Sequence, residues 1–185
     1  MDWAEFPGHD TVLQTERLTL RPFRESDFEI ALGYYADREF RDMMEGDPDA
    51  PVNLEYLRAA GLYMASWGWL FAIELKAERR SVGEACLQRM NLERAAVQPG
   101  EVVFRVPLAI WDKRLWGLGL GGEVLDKLLE WAFVAHNADR VCAMDAKEGN
   151  VRSQQLFTSR GFRVVRRLDR ERVVDLELTR AEYLE

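Results

Sequence analysis

Apolar residues at Val124, Leu125, Leu128, Leu129, Ala132 and Phe133 repeat with a helical period and predict a helix over Glu123–Phe133 with one buried face. Upstream, Leu18–Phe23 alternates as a first strand. Ser26 stands three residues before Glu29, a capping box for a helix that carries Phe28, Ile30, Ala31 and Leu32 and ends near Ala36. Gly46–Pro51 breaks the pattern. Asn53 caps a second helix to Ser66, with Leu54, Leu57, Gly61, Leu62 and Ala65 on or near one face. Trp69–Leu75 and Val82–Leu92 read as a hairpin, and Glu101–Ile110 as a fourth strand. Pro107 removes a ladder donor inside that strand and predicts a bulge. Arg140–Ala146 is a short strand; Asn150 and Gly161 frame another helix as N-cap and C′ residue. Phe162–Leu168 and Val173–Leu178 close as a hairpin. The order β-α-α-β-β-β-α-β-α-β-β predicts an α/β fold with a mixed sheet, one domain over 1–185, and an N-terminal extension over 1–13.

Composition narrows the class. The 185 residues are 48% hydrophobic and 31% charged, the balance of a soluble globular chain with a sizeable core. A net charge of −7 without a Lys/Arg cluster argues against nucleic acid as a partner. Arg166, Arg167 and Arg170 alternate with Asp169 and Glu171, as in a solvated hairpin. Cys86 and Cys142 each sit in an apolar run, read as buried inert thiols, and form no metal motif. Met1–Asp10 is polar and broken by Pro7 and Gly8, unlike a signal peptide, and no apolar run approaches the ~20 residues of a membrane span. The expectation is a cytoplasmic protein without a membrane partner.

Chemistry concentrates in Arg114–Glu123, where four glycines, Gly117, Gly119, Gly121 and Gly122, lie between an apolar strand and the amphipathic helix. Such a junction lets backbone approach a ligand and turns free helix N–H groups towards negative charge, so a diphosphate is the natural guest. No Lys-Ser or Lys-Thr follows, which excludes a Walker loop. Gly117, Gly119 and Gly122 satisfy a dinucleotide fingerprint, with Asp145 near the place of a ribose-binding acid. Against it, Asp112-Lys113-Arg114 separates the glycines from the strand, and the chain ends too soon for the usual βαβ set.

Arg114, Gly117 and Gly119 also fit the Arg/Gln-x-x-Gly-x-Gly/Ala turn, which resembles the acetyl-CoA pyrophosphate loop of GNAT N-acetyltransferases. Asn150–Phe162, with Ser153 and Gly161, resembles that family's Asn-x-x-Ser/Ala…Gly-Phe helix. Thr15–Asp27 resembles the opening of its ribosomal-protein N-terminal acetyltransferase branch, and the likeness runs over residues 13–180. It implies a sheet of about seven strands flanked by about four helices, with the fourth and fifth strands splayed around the pantetheine arm. It implies acetyl-CoA as cosubstrate, no metal, a primary-amine acceptor, and a monomer or homodimer.

By this resemblance, the N–H groups of Leu115, Trp116, Gly117, Leu118, Gly119 and Leu120 cradle the pyrophosphate, with Arg114 opening the motif. Ile110 and Asp112 flank the strand end that pairs with pantetheine amides, and an N–H near Ala109 or Ile110 is the oxyanion donor. Asn150 binds the pantetheine arm, and Ser153 donates to the departing thiolate. Phe157 replaces the Tyr many members use as general acid, which removes that mechanism and leaves a catalytically weak CoA-binding regulatory domain as the alternative. Arg105 and Val106 stand where members often carry a glutamate, so Glu84 is the candidate base, acting through a water. His9 and His136 are read as structural or surface residues.

Overall fold

The computed structural model describes residues 6–44 and 49–185. Trp3 and Gly46–Pro48 of the expected break lie outside them. The described residues build one sheet of nine strands: β1 (Leu13–Gln14), β2 (Leu18–Pro22), β3 (Gly68–Leu75), β4 (Arg80–Arg89), β5 (Val103–Arg105), β6 (Leu108–Ile110), β7 (Arg140–Lys147), β8 (Arg163–Leu168) and β9 (Val173–Thr179). The order is β1-β2-β3-β4-β5-β7-β9-β8, with β6 beside β4. Every pairing is antiparallel except β5 with β7. The helices are α1 (Glu25–Tyr35), α2 (Arg38–Met43), α3 (Leu54–Ala65), α4 (Leu120–Glu130), α5 (Val151–Thr158) and α6 (Arg180–Tyr183). Beyond the expected elements stand β1, α2 and α6, and the fourth strand is divided in two.

Each face of the sheet carries its own core. On one side α4 buries Leu120, Val124, Leu125, Leu128 and Leu129 with Phe71, Leu87, Phe104 and Val141. Each fully buried leucine contributes about 1.5–3 kcal/mol relative to exposure. The other face packs Phe28, Ala31, Phe40 and Leu57 from α1–α3 over Leu70, Ala72, Cys86 and Trp111. The apolar stripe of α4 is therefore one-sided because one layer covers it. Its last turn widens to a π-turn over Trp131–Ala135, closed by His136 N–H on the Trp131 carbonyl at 3.1 Å. The described part of the extension docks on the sheet and on α1: His9 Nε2 lies 2.9 Å from the Leu70 carbonyl, and Phe6 meets Phe28 edge-on. Both cysteines are free and buried, and burial pushes the Cys142 thiol up to about 12.

Two local expectations are corrected. Helix α1 is capped two residues before the Ser26–Glu29 box. Its N-cap is Arg24, whose N–H donates to Asp27 at 2.7 Å. Asp27 wins because it is fully buried and also takes both Arg21 guanidinium nitrogens at 2.8 Å and the Ser81 hydroxyl at 2.9 Å. At Pro107 the strand breaks without a register shift. Gln88 pairs with Arg105 and Gly83 with Ile110, one continuous register across the break. The proline keeps its place because its carbonyl still accepts the Cys86 N–H at 2.9 Å. Only the donor is missing.

Candidate active site

The break at Pro107 opens the sheet on its far side. Cys86 N–H donates to Pro107 and Trp111 N–H to Val82 at 2.8 Å, so alternation turns Ala109 to β4 as well, opposite Glu84. Leu108 and Ile110 turn their N–H and C=O groups the other way, where no strand among the described residues pairs with them. Upstream, Val106 N–H still reaches the Cys142 carbonyl of β7 at 3.0 Å. β7 then diverges through an irregularity between Ala143 and Ala146, with Asp145 at φ 56°. The buried Asp175 carboxylate accepts the Asp145 N–H at 3.0 Å, and Arg94 bridges Asp145 at 2.7 Å and Asp175 at 3.0 Å. A charged clamp on β9 thus holds open the expected splay.

A cavity of about 570 Å³ fills the gap and is lined by residues of both cores. Its first face is backbone. Leu115, Trp116, Gly117, Gly119, Leu120, Gly121 and Gly122 line it, with Ile110 on the facing strand. Gly117 and Gly119 have φ +79° and +80°, a left-handed backbone that glycine adopts without strain. Gly119 is the N-cap of α4, so the first-turn amides behind it lack intrahelical acceptors. The loop is braced from afar: Arg17 N–H and Nε each donate to Glu123 at 2.7 Å, Thr15 donates to the same carboxylate, and Arg17 Nη1 reaches the Leu118 carbonyl at 2.9 Å. The N-terminal Thr15–Arg17 motif therefore acts by pinning a loop about a hundred residues away.

Asp112, Arg114 and Leu118 stand outside the cavity lining. The Asp112 carboxylate accepts the Arg114 N–H and folds the Arg114 guanidinium back on itself at 2.9 and 2.7 Å, while Arg80 approaches at 3.1 Å. Arg114 first, then the backbone and Arg80, hold the Asp112 carboxyl down at about 2. Asp112 thus shapes the turn, and Leu118 offers only its backbone. Asn150 lines the cavity with its amide committed: Oδ1 caps Ser153 N–H at 3.0 Å and Nδ2 donates to the Met43 carbonyl at 3.1 Å. Ser153 lines the cavity one turn along α5, beside Phe157, which packs edge-on against Phe162. Trp116 lines the cavity too. Its indole N–H donates to the Ile110 carbonyl at 2.7 Å, and the Arg152 guanidinium lies 4.7 Å above the ring.

The second face is made of side chains. Phe28, Ala31 and Tyr35 of α1 and Tyr56, Leu57, Ala60, Tyr63 and Met64 of α3 roof β4. Glu84 lines this cavity. Its surroundings raise its pKa, chiefly by desolvation and in smaller part through Asp27, against the lowering effect of Tyr35, whose hydroxyl donates to Oε1 at 2.6 Å. The Trp111 indole N–H also faces this carboxylate and lowers its pKa, without the geometry of a full hydrogen bond. Glu84 and Ser153 line one cavity. His9 and His136 do not. Tyr35, Gln88 and Arg105 join the site unforeseen; the spacing of Phe28, Ala31 and Tyr35 on one helix face was the available signal for the first.

Residues 17–163 match the family model of the acetyltransferase (GNAT) domain. The chain belongs to the GNAT family of N-acetyltransferases. Solved structures agree on the fold. A GNAT-family acetyltransferase from Bacillus anthracis superposes with TM-score 0.74 at 17% identity, covering 92% of this chain and 99% of its own. Mycobacterium smegmatis RimJ in complex with CoA-disulfide gives 0.72 at 19%, covering 97% and 92%. Spermidine N-acetyltransferase from Vibrio cholerae, in complex with CoA and spermine, gives 0.72 at 16%, covering 91% and 99%. No curated protein sequence matches significantly. The dinucleotide reading of Gly117, Gly119 and Gly122 falls with this topology: one parallel pair is not a doubly wound sheet, and Asp145 is held by Arg94. Among the described residues no helix is long and apolar enough to cross a membrane, and no cluster of His, Cys, Asp and Glu could hold a metal ion.

Proposed function

We propose that residues 1–185 act as one acetyltransferase domain that moves the acetyl group of acetyl-CoA directly to a primary amine, in the cytoplasm, where two buried thiols stay reduced. The observation that carries this reading is the outer edge of β6, which no strand among the described residues pairs, flanked by an amide-lined loop on one side and a carboxylate of raised pKa on the other. The thioester arrives activated, so positioning is the main task and can supply ~7–11 kcal/mol in favourable cases. The amides of Gly117 and of Gly119 to Gly122 meet the diphosphate at the start of α4; those of Leu115, Trp116 and Leu118, expected in the cradle, are already donated to the Asp112, Lys113 and Leu115 carbonyls, which tighten the turn. Ile110 N–H, which faces the cleft where Ala109 N–H faces β4, stabilises the tetrahedral oxyanion, a role worth ~3–4 kcal/mol. Glu84, directly or through a water, takes the proton the amine loses as its C–N bond forms. Ser153 donates a hydrogen bond to the thiolate as the C–S bond breaks, and solvent supplies the thiol proton.

Among the described residues the acceptor face is lined mainly by apolar and tyrosine side chains of α1 and α3, which suit a protein N-terminus better than a polyamine. A structurally similar protein is nonetheless a spermidine acetyltransferase. Similarity to RimJ and to a ribosomal-protein-S5-alanine acetyltransferase from Vibrio fischeri points to the protein N-terminus. Thiol release from acetyl-CoA across a panel of peptides and small amines, alongside calorimetry with CoA, is the test. Turnover of a peptide N-terminus is the expected result. Tight CoA binding without turnover of any amine would establish the regulatory-domain reading that Phe157 motivates.

A further inference from the structure

Four residues beyond Glu84 on β4, on the same face of the strand, lies Gln88. It is 1% exposed and lines the cavity. Neither its amide oxygen nor its amide nitrogen has a hydrogen-bond partner among the described residues. A buried primary amide left unsatisfied is unfavourable in a folded protein, so a native chain that keeps one inside a binding cavity points to a ligand group that completes it. Opposite Gln88 stands Arg105 on β5; above are Tyr56, Leu57, Ala60 and Met64 of α3. The pocket is otherwise apolar or tyrosine-lined on this side.

We propose that Gln88 is a specificity-determining residue of the acceptor site, pairing with an amide group of the acceptor. The inference rests on the transferase reading and narrows it. A carboxamide presents one acceptor and two donor hydrogens, the complement of another amide, and it carries no charge. A peptide group satisfies both atoms at once. An ammonium group meets only the oxygen; an alkyl chain meets neither. Glu84 and Gln88 are about 13 Å apart along the strand, and an extended peptide advances about 3.3–3.6 Å per residue. With its amine beside Glu84, an extended acceptor therefore brings a peptide group within its first three or four residues to Gln88. Tyrosine and leucine side chains of α3 flank the path.

The test compares three acceptors, a free tripeptide amide, an alkylamine of matching length and spermidine, on the wild type and on Gln88→Met, which keeps length and loses both hydrogen-bonding atoms. Wild type is expected to prefer the tripeptide. Gln88→Met should lower kcat/KM for the tripeptide about tenfold to a hundredfold and leave the alkylamine within about twofold. It should melt no lower than wild type, since it removes an unsatisfied polar group. Gln88→Leu repeats the comparison should the methionine variant misfold. Gln88→Glu should shift preference towards spermidine by adding a negative charge. An equal loss on every acceptor makes Gln88 merely structural and overturns the proposal, as do unchanged tripeptide rates and a wild-type preference for alkylamine or spermidine. If wild type releases no thiol with any amine, the transferase reading falls first and this one with it.

Discussion

The two faces of the cavity are built from different materials. The cofactor face offers the main-chain amides of Gly117 and of Gly119 to Gly122, shaped by two left-handed glycines and braced by Arg17 and Glu123. The acceptor face offers side chains gathered from α1, α3, β4 and β5. A ligand common to many proteins can be held by groups every residue carries; the amine that distinguishes one enzyme from another must be read by side chains. Substitutions should therefore separate cleanly. Changes on the acceptor face should alter turnover and selectivity while cofactor affinity holds, and changes to loop backbone should do the reverse.

The largest separation is expected at Glu84. Glu84→Gln removes the base while keeping the shape, and should lower kcat about a hundredfold to a thousandfold, within the usual range for general base catalysis. CoA affinity by calorimetry should stay the same. Stability should rise at neutral pH. A carboxylate whose folded pKa is raised binds its proton more tightly in the folded state, so its contribution to stability declines as pH climbs through the interval from the unfolded pKa to the raised folded one. The neutral glutamine avoids that loss. A variant that melted lower above that interval would contradict the buried position of the carboxylate.

Gly119→Ala should act on the opposite face with the next largest effect. A Cβ there would lie 3.5 Å from an Arg17 nitrogen, an ordinary contact, so space is not the obstacle. The backbone at φ +80° is, and a left-handed alanine costs about 1–2 kcal/mol. If the loop relaxes to relieve it, the dissociation constant of acetyl-CoA should rise about tenfold, with acceptor KM unchanged. A selective effect on acceptor KM would break the division between the faces.

That division also decides what was legible in the chain. Glycine spacing marks a backbone-made site directly, because the turn demands those residues in that order; Asn150 was legible as the cap of α5, and the apolar stripe of α4 was plain, although that helix begins at Leu120, three residues before the expected Glu123. The splay was readable as a place, through Pro107, but not as a geometry. The β4 register runs through the break unshifted, and what opens the gap is Asp145 held by Asp175 and Arg94, residues 30 to 81 positions apart in the chain. The capping box at Ser26 gave way to Asp27 because a tertiary partner, Arg21, outweighed a local pattern. Gln88 was hidden in a strand that read as ordinary, since a polar residue in a strand declares nothing until the face it shares is known, and Arg105 was legible only as standing where the family resemblance expects a glutamate. Tyr35 closes an unremarkable helix and becomes functional only through a hydroxyl placed against β4.

Tyr35→Phe should have a smaller effect, visible mainly in the pH profile. The lost hydrogen bond favours the charged form of Glu84, so its removal raises an already raised pKa. The acid limb of kcat/KM should move to higher pH, and activity well above that limb should change little. A limb that stayed in place, or moved down, would detach Tyr35 from the base and leave its hydroxyl to the acceptor.

Leu118→Ala should do least. Leu118 sits in the middle of the glycine turn, yet its side chain is 56% exposed and outside the cavity; what it contributes is a carbonyl for Arg17 and its place in the backbone. Truncating an exposed side chain of this kind should change stability by no more than about 0.5 kcal/mol. Dissociation constants for acetyl-CoA, measured by calorimetry on this variant and on Gly119→Ala, should therefore differ about tenfold between neighbouring positions, with the smaller structural change, one methyl, doing the greater harm. That inversion is what a face made of main-chain amides requires. Equal losses at Leu118 and Gly119 would mean that side chains hold the diphosphate after all.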